Sequence, residues 1–200
     1  MSARVTPLEP PYPAPVQAAL DRIMPPGVPP LALFRTLARN ERVFLRLMAG
    51  GLLDRGSITL REREIVIDRV CARCGCEYEW GVHVALFAER VGLGPDQLAA
   101  VAGGDPAALP ERERLLLRLV DALHDDARVD DALWAALRGH FTEEQLVELV
   151  ALAGFYHLIS FVANALRIPL EPYGARFPPG PEPGGAGGGR WSPAFRGAGR

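Results

Sequence analysis

The chain has 200 residues, of which 48% are hydrophobic and 23% are charged. This composition is typical of one globular domain with a buried core, and it excludes a chain that is disordered throughout. The 22 basic and 24 acidic residues give a net charge of −2, without the concentration of basic residues that nucleic-acid-binding proteins carry. We therefore expect a small-molecule partner, and neither nucleic acid nor a membrane.

The N-terminal segment, residues 1–30, is rich in proline. We expect it to be an arm that packs on the domain, with one or two helical turns between Pro15 and Met24. It contains no apolar core of the kind found in signal peptides, and the chain has only three cysteines, all within six residues. These features predict a reduced, cytoplasmic protein.

The ordered domain, residues 31–173, is predicted to be all-α, because no segment alternates between apolar and polar residues at period two. Short breakers separate eight predicted helices, which cover residues 31–38, 41–53, 59–73, 76–91, 95–101, 110–124, 130–139 and 142–167. Two of them begin with capping boxes, Thr59 with Glu62 and Thr142 with Gln145.

The last predicted helix contains residues 149–166, a stretch without a formal charge that is long enough to span a membrane. It also contains polar side chains such as His157, Ser160 and Asn164, so a buried helix is the better interpretation. This helix and the apolar face of residues 132–137 carry more apolar surface than one small domain can hide. We expect the two surfaces to meet across subunits in a homotrimer or a homohexamer.

Residues 174–200 form a segment in which 14 of 27 residues are glycine or proline. Such a segment lacks the apolar content that would offset the entropy cost of ordering it. We therefore predict a disordered C-terminal tail.

The three cysteines surround a predicted break between two helices at Gly75. Cys76 then lies in the first turn of the second helix, where the helix dipole favours a thiolate and lowers the thiol pKa. Glu79 and His83 follow at spacings of three and four residues, so a thiol, a carboxylate and an imidazole share one helix face. The alternative interpretation is a partly exposed Glu–His pair beside a cysteine of the core.

Cys71 and Cys74 lie toward the end of the preceding helix, where the dipole raises a thiol pKa instead of lowering it. A metal site built from Cys71, Cys74, Cys76 and His83 would need two ligand pairs folded over Gly75, and this spacing is not a usual one for zinc. We therefore expect neither a metal ion nor a cofactor.

The remaining histidines and one tyrosine are assigned ordinary roles. His124 precedes two aspartates and is interpreted as a cation at a helix C-terminus. His140 precedes a helix cap and is expected to be exposed. Tyr156 and His157 lie on the apolar last helix and are interpreted as groups of the core or of an interface.

Several runs of the sequence resemble the carboxymuconolactone decarboxylase family, within the alkylhydroperoxidase D-like superfamily. The resemblance is carried by Leu60-Arg-Glu-Arg-Glu64, by Cys76-x-Tyr78-Glu79-Trp80-x-x-His83, by Gly92-Leu-Gly, and by the downstream runs 115–124 and 154–166. It extends over about residues 31–171. The resemblance implies an alkylhydroperoxidase D-like helical bundle that assembles as a trimer or hexamer, with active sites near subunit contacts.

In the redox branch of this superfamily the working motif is a Glu, eleven residues, and then Cys-x-x-Cys-x-x-x-His. The matching positions here are Glu64, Cys76 and His83, and Glu79 occupies the place of the second cysteine. A carboxylate cannot form a disulfide. The resemblance therefore favours the decarboxylase side of the family, with Glu64, Cys76, Glu79 and His83 as the candidate catalytic residues.

Decarboxylation or isomerisation of a lactone needs a base, an acid that protonates the carbanion, and a clamp for the substrate carboxylate. Glu64, Glu79 and His83 can provide the first two. The candidate clamps are four arginines, Arg35, Arg39, Arg61 and Arg63, each of which can also be an ordinary exposed helix residue. The predicted function is acid–base chemistry on a small organic acid or lactone.

Two other functions remain open at this stage. One is a thiol-dependent peroxidase or disulfide reductase that uses Cys76, with Cys71 or Cys74 as its partner thiol. The other is a non-catalytic, oligomeric binding protein that has kept the helices and lost the chemistry.

Overall fold

The structure is a computed structural model, and it describes residues 3–179. Within this range the chain forms helices and no strand, so the predicted all-α class is confirmed. The helices are α1 (Ala14–Ile23), α2 (Ala32–Leu37), α3 (Glu41–Gly50), α4 (Leu60–Arg73), α5 (Glu77–Phe87), α6 (Pro95–Ala102), α7 (Glu111–Asp126), α8 (Asp131–Arg138) and α9 (Glu143–Leu166). Short 3₁₀ turns cover Glu89–Val91 and Pro106–Ala108.

Side chains that satisfy free backbone groups set the starts of α4 and α9. Both predicted capping boxes are present: Thr59 with Glu62 at the start of α4, and Thr142 with Gln145 at the start of α9. Gly75 adopts a left-handed conformation with φ of 59° and reverses the chain between α4 and α5. This reversal lays α5 back against α4.

Helix α4 is the centre of the domain, since α5, α6, α7 and α9 all pack against it. Ten of its fourteen residues are buried, among them Ile65, Val66 and Ile67. The buried set also contains four charged residues, Glu62, Arg63, Glu64 and Asp68. Because buried charges are costly unless they are paired, the neighbouring helices must supply partners.

The N-terminal arm contributes more than the one or two turns that we predicted. Helix α1 has ten residues, and Val16 and Leu20 are fully buried in the core. The predicted helix 76–91 is shorter than expected, because α5 ends at Phe87 and a 3₁₀ turn leads to Gly92 with φ of 67°.

The chain continues to pack on α5 beyond the predicted start of the tail at Gly174. The backbone N–H of Ala175 donates to the carbonyl of Gly81 at 3.0 Å, and the rings of Trp80 and Phe177 lie 5.0 Å apart. A Cβ at Gly81 would lie 2.6 Å from the carbonyl oxygen of Ala175, so glycine is required for this approach. The prediction of a disordered tail is wrong for residues 174–177, and residues 180–200 lie outside the described range.

Helix α9 is long and apolar enough to cross a membrane by length and composition, with mean hydropathy 1.9 over its most apolar window. One face packs in the core through residues such as Leu149, Leu152 and Tyr156. The interpretation as a buried helix agrees with this packing. The opposite face presents an uncharged stripe that includes Val147, Leu158 and Phe161.

We expect Phe177→Ala to lower the melting temperature, because the indole of Trp80 loses the aromatic ring that covers it. Such pairs contribute about 0.5–1.5 kcal/mol beyond their area burial. The matched control is Tyr173→Ala, which removes an aromatic ring that is 49% exposed. Thermal unfolding followed by circular dichroism makes the comparison, and equal melting temperatures for the two variants would contradict it.

We expect light scattering to report a trimer or a hexamer, because Val147, Phe161 and Trp134 are exposed by 71%, 63% and 38% on α8 and α9. Phe161→Glu places a charge in this surface and is expected to shift the protein to smaller species. Leu170→Glu, at an exposed apolar residue outside both helices, is the control. A monodisperse monomer of 21.7 kDa at micromolar concentration would contradict the expectation.

Candidate active site

Three helices bring five titratable side chains into the interior of the domain. Glu64 and Asp68 lie one turn apart on α4, Glu79 and His83 lie one turn apart on α5, and Tyr156 comes from α9. None of the five residues is more than 6% exposed. The predicted convergence of Glu64, Glu79 and His83 is therefore present, and it is buried deeply.

The imidazole of His83 lies between two carboxylates. Its Nδ1 is 2.7 Å from Oε2 of Glu64, and its Nε2 is 3.4 Å from Oε1 of Glu79. The hydroxyl of Tyr156 lies 3.1 Å from the same Nε2. We call Glu64, His83 and Glu79 the carboxylate–histidine relay.

The two carboxylates decide the protonation state of the imidazole. Burial alone lowers the pKa of His83, but the hydrogen bonds to Glu64 and Glu79 outweigh burial and raise the pKa to about 10. At neutral pH the ring is consequently a cation that donates a proton to each carboxylate. Such a group can act as a general acid.

Arg63 adds a second cation beside the relay. Its Nε and Nη2 donate to Oε1 of Glu64 at 2.8 and 2.7 Å, and its Nη1 donates to the carbonyl of Leu53 at 2.7 Å. The guanidinium lies 5.3 Å from the ring centre of Phe87. Arg63 and His83 thus balance the two negative charges of Glu64 and Glu79.

Arg63 also lines a cavity of about 260 Å³ between α4 and the loop that precedes it. The other lining residues include Leu53, Ile58, Leu60 and Glu148. Since Arg63 belongs to this wall and bonds to Glu64, it connects the cavity to the relay.

The other three candidate clamps have partners elsewhere. Arg61 donates to Glu113 at 2.7 Å, Arg35 pairs with Glu9 at 2.6 Å, and Arg39 donates to the carbonyl of Thr6 at 2.8 Å. These contacts tie helices and the N-terminal arm together. Arg63 alone among the four touches the relay.

Asp68 is a site residue that sequence reasoning missed. Burial raises the pKa of this carboxyl well above its usual range, and the nearby charges of Glu64 and Glu79 add to the increase against the opposing effect of His83. The raised pKa favours the neutral carboxyl of Asp68, and its Oδ1 makes no hydrogen bond within the described residues. The signal in the sequence was an aspartate inside an apolar run, one turn after Glu64.

Tyr156 is buried as expected, but it is also a polar member of the site through its contact with His83. An apolar helical stretch with one tyrosine does not distinguish a core hydroxyl from a site hydroxyl. Only the partner residue on α5 makes that distinction.

The prediction of a lowered pKa for Cys76 is wrong. Cys76 is the N-cap residue of α5, but it is fully buried, and burial raises its pKa to about 12. A hydrogen bond from the backbone of Glu79 favours the thiolate, but the charge of the Glu79 side chain opposes it. Burial also raises the pKa of Cys71 well above its usual value, so the predicted direction holds for a different reason.

Comparison with known proteins agrees with this arrangement of helices. Residues 40–122, a range that includes the whole relay, match the carboxymuconolactone decarboxylase family. The chain is 35% identical over 111 residues to the uncharacterized protein YnjA of Escherichia coli K12, and the match covers 54% of the chain and 60% of that relative.

Solved structures share the alkylhydroperoxidase D-like fold with this chain. A peroxidase-related protein from Silicibacter sp. TM1040 has a TM-score of 0.75 at 20% identity, covering 88% of this chain and 96% of that one. A peroxidase-related protein with an alkylhydroperoxidase core from Ralstonia eutropha JMP134 has a TM-score of 0.74 at 24% identity. This match covers 85% of this chain and 93% of that one. The debrominase Bmp8 in complex with 2,3,4-tribromopyrrole has a TM-score of 0.66 at 19% identity. This match covers 86% of this chain and 94% of that one.

We expect His83 to make the stability of the protein depend on pH in the alkaline range. A folded pKa of about 10 exceeds the unfolded value of about 6.5, so the folded state binds the proton more tightly. The contribution is fully present below about pH 6.5 and is lost as pH rises through about 10.

Urea unfolding of the wild type and of His83→Gln across pH 6 to 10 measures this contribution. The difference in free energy of unfolding between the two proteins is expected to shrink as pH rises. A ring NMR titration of His83 with a midpoint near its usual value would contradict the assignment.

Proposed function

We propose that the protein is an acid–base enzyme that decarboxylates or isomerises a small organic acid or lactone in the cytoplasm. The observation that supports this proposal most strongly is the protonated His83 held between Glu64 and Glu79. The second carboxylate stands where the resemblance to the redox branch would place an attacking thiol. A pair of carboxylates around an imidazolium is suited to moving protons and cannot form a disulfide.

Each member of the relay has a distinct role in this proposal. His83 is the proton donor at Nε2, and Glu64 positions its ring through Nδ1. Glu79 is the base, because its Oε2 is buried and makes no hydrogen bond within the described residues. Arg63 holds the substrate carboxylate, since it bonds to Glu64 of the relay and lines the adjoining cavity together with Arg55.

The steps balance with these groups and solvent. In decarboxylation, the bond between the substrate carbon and its carboxylate breaks, carbon dioxide leaves, and the electron pair remains on the carbon. The proton on Nε2 of His83 then moves to that carbon, and solvent restores it. In isomerisation, Glu79 removes a proton from one carbon and His83 returns one to another, after which the proton on Glu79 passes to His83.

The size of the adjoining cavity supports a small substrate. Its volume of about 260 Å³ is below the roughly 300–1,000 Å³ of typical drug-sized ligand pockets. The apolar lining residues Leu53, Ile58 and Leu60 favour a compact carbon skeleton.

A thiol-dependent peroxidase or disulfide reductase is the second candidate. Three cysteines within six residues favour it, and two of the solved structures with this fold are described as peroxidase-related. Against it stand the full burial of Cys76 and its pKa of about 12. Oxidation would also need Cys71 or Cys74 as the partner thiol in place of Glu79.

We expect Glu64→Gln and His83→Gln each to lower turnover by roughly 10²–10⁴-fold, the usual contribution of one acid–base group. Cys76→Ser is expected to weaken turnover without abolishing it, because the thiol carries no electrons in this mechanism. Glu113→Gln is the matched control, since Glu113 is a similarly enclosed carboxylate that pairs with Arg61. The assay follows deuterium incorporation from heavy water by NMR across a panel of small lactones and organic acids.

Peroxide consumption measured on the same variants separates the two candidates. Peroxide reduction that disappears in Cys76→Ser and survives in Glu79→Gln would overturn the acid–base proposal in favour of the redox enzyme. Binding of panel compounds without turnover or peroxide consumption would instead indicate a non-catalytic binding protein.

A further inference from the structure

A second group of ligating side chains lies outside the carboxylate–histidine relay. Cys74 is the C-cap residue of α4, His124 lies in the last turn of α7, and His157 lies in the middle of α9. Their ligating atoms are Sγ of Cys74, Nδ1 of His124 and Nε2 of His157, and all three lie within 4.8 Å of one another. We call these residues the Cys–His–His cluster.

The spacing of these atoms is close to that of ligands around a zinc ion. Zinc bonds of about 2.3 Å to sulfur and about 2.0–2.1 Å to nitrogen, at tetrahedral angles, imply about 3.3 Å between two nitrogens and about 3.6 Å between sulfur and nitrogen. The observed distances are 3.0 Å between the two ring nitrogens and 3.9 Å from Sγ of Cys74 to Nδ1 of His124. Both distances lie within about 0.3 Å of the zinc values.

Further contacts hold the ligands in the orientation that a metal needs. Nδ1 of His157 donates to the carbonyl of Ala153 at 2.8 Å, which leaves Nε2 free to direct its lone pair at the cluster. The side chain of Asn164 donates to the carbonyl of Cys74 at 2.9 Å and fixes the end of α4. Such outer contacts orient ligands in known metal sites.

Without an ion, one proton between the facing nitrogens of His124 and His157 makes a single hydrogen bond of 3.0 Å, and Sγ of Cys74 lies 3.9 Å from Nδ1 of His124. An ion at the centre would bind all three atoms at once. The nearby charge of Arg73 is already compensated, because its guanidinium pairs with Asp121 and Asp125.

We infer that Cys74, His124 and His157 form a binding site for a divalent transition-metal ion of the zinc type. One thiolate and two neutral imidazoles select such an ion over calcium or magnesium, which prefer oxygen ligands. On binding, Sγ of Cys74 loses its proton to solvent and forms the metal–sulfur bond. The three ligands are half-buried, so the ion can enter from solvent, and a fourth position is left for water or another ligand.

The bound ion would join the end of α4, the end of α7 and the middle of α9. It would also make Cys74 unavailable as a partner thiol for Cys76. The inference does not rest on the proposed acid–base function, because none of its residues belongs to the relay.

The test uses the full-length chain, purified in reductant without metal chelators, with zinc and cobalt(II) as probes. The wild type is expected to bind one ion per chain, and its cobalt form to show a sulfur-to-cobalt charge-transfer band. His124→Gln and His157→Gln should each weaken binding by more than the roughly 10–100-fold that loss of an outer contact costs. Cys74→Ser should abolish the charge-transfer band.

His140→Gln is the matched control, because it applies the same substitution to a histidine outside the cluster. This variant should bind the ion as the wild type does. A wild-type protein without bound metal or without the charge-transfer band would overturn the inference, and this result requires no variant to fold. Equal loss of binding in His140→Gln, or full binding in both His124→Gln and His157→Gln, would overturn it as well.

Discussion

The burial of charge on α4 is the constraint on which the rest of the structure depends. Glu64 and Asp68 face the interior, where an ionised carboxylate is costly unless it is paired. Glu64 meets this requirement through Arg63 and His83, whereas burial raises the pKa of Asp68 and so favours its neutral form. Removal of His83 would leave two buried carboxylates with one cation between them, so the site and the core share the same interactions.

The same arrangement explains why the helices around α4 are placed as they are. The left-handed Gly75 returns the chain so that α5 can present Glu79 and His83 to the buried face of α4. Helix α9 closes the other side with Tyr156. The side chains of the relay and of Tyr156 therefore also form part of the packed interior of the domain.

The surroundings of Cys76 and of His83 stabilise different protonation states of the two side chains. A low-pKa thiol needs solvent or a nearby cation to stabilise the thiolate, and Cys76 has an apolar environment and a neighbouring carboxylate instead. An imidazole between two carboxylates has the opposite environment, because the protonated form is the stabilised one. The thiolate of Cys76 is therefore disfavoured, while the two carboxylates favour the protonated form of His83.

The sequence by itself determined the all-α class, two capping boxes and the family resemblance, because helical periodicity, capping boxes and motif spacing are local properties of the chain. The sequence also predicted that Glu64, Glu79 and His83 come together, since the Glu79–His83 spacing lies within α5 and the position of Glu64 is carried by the motif that the resemblance supplies. Only the tertiary structure decided the burial of Cys76, the raised pKa of Asp68 and the contacts of Tyr156, His124 and His157. Each of these depends on partners that lie many residues away, and local sequence cannot reveal how much water or charge such partners leave around a side chain.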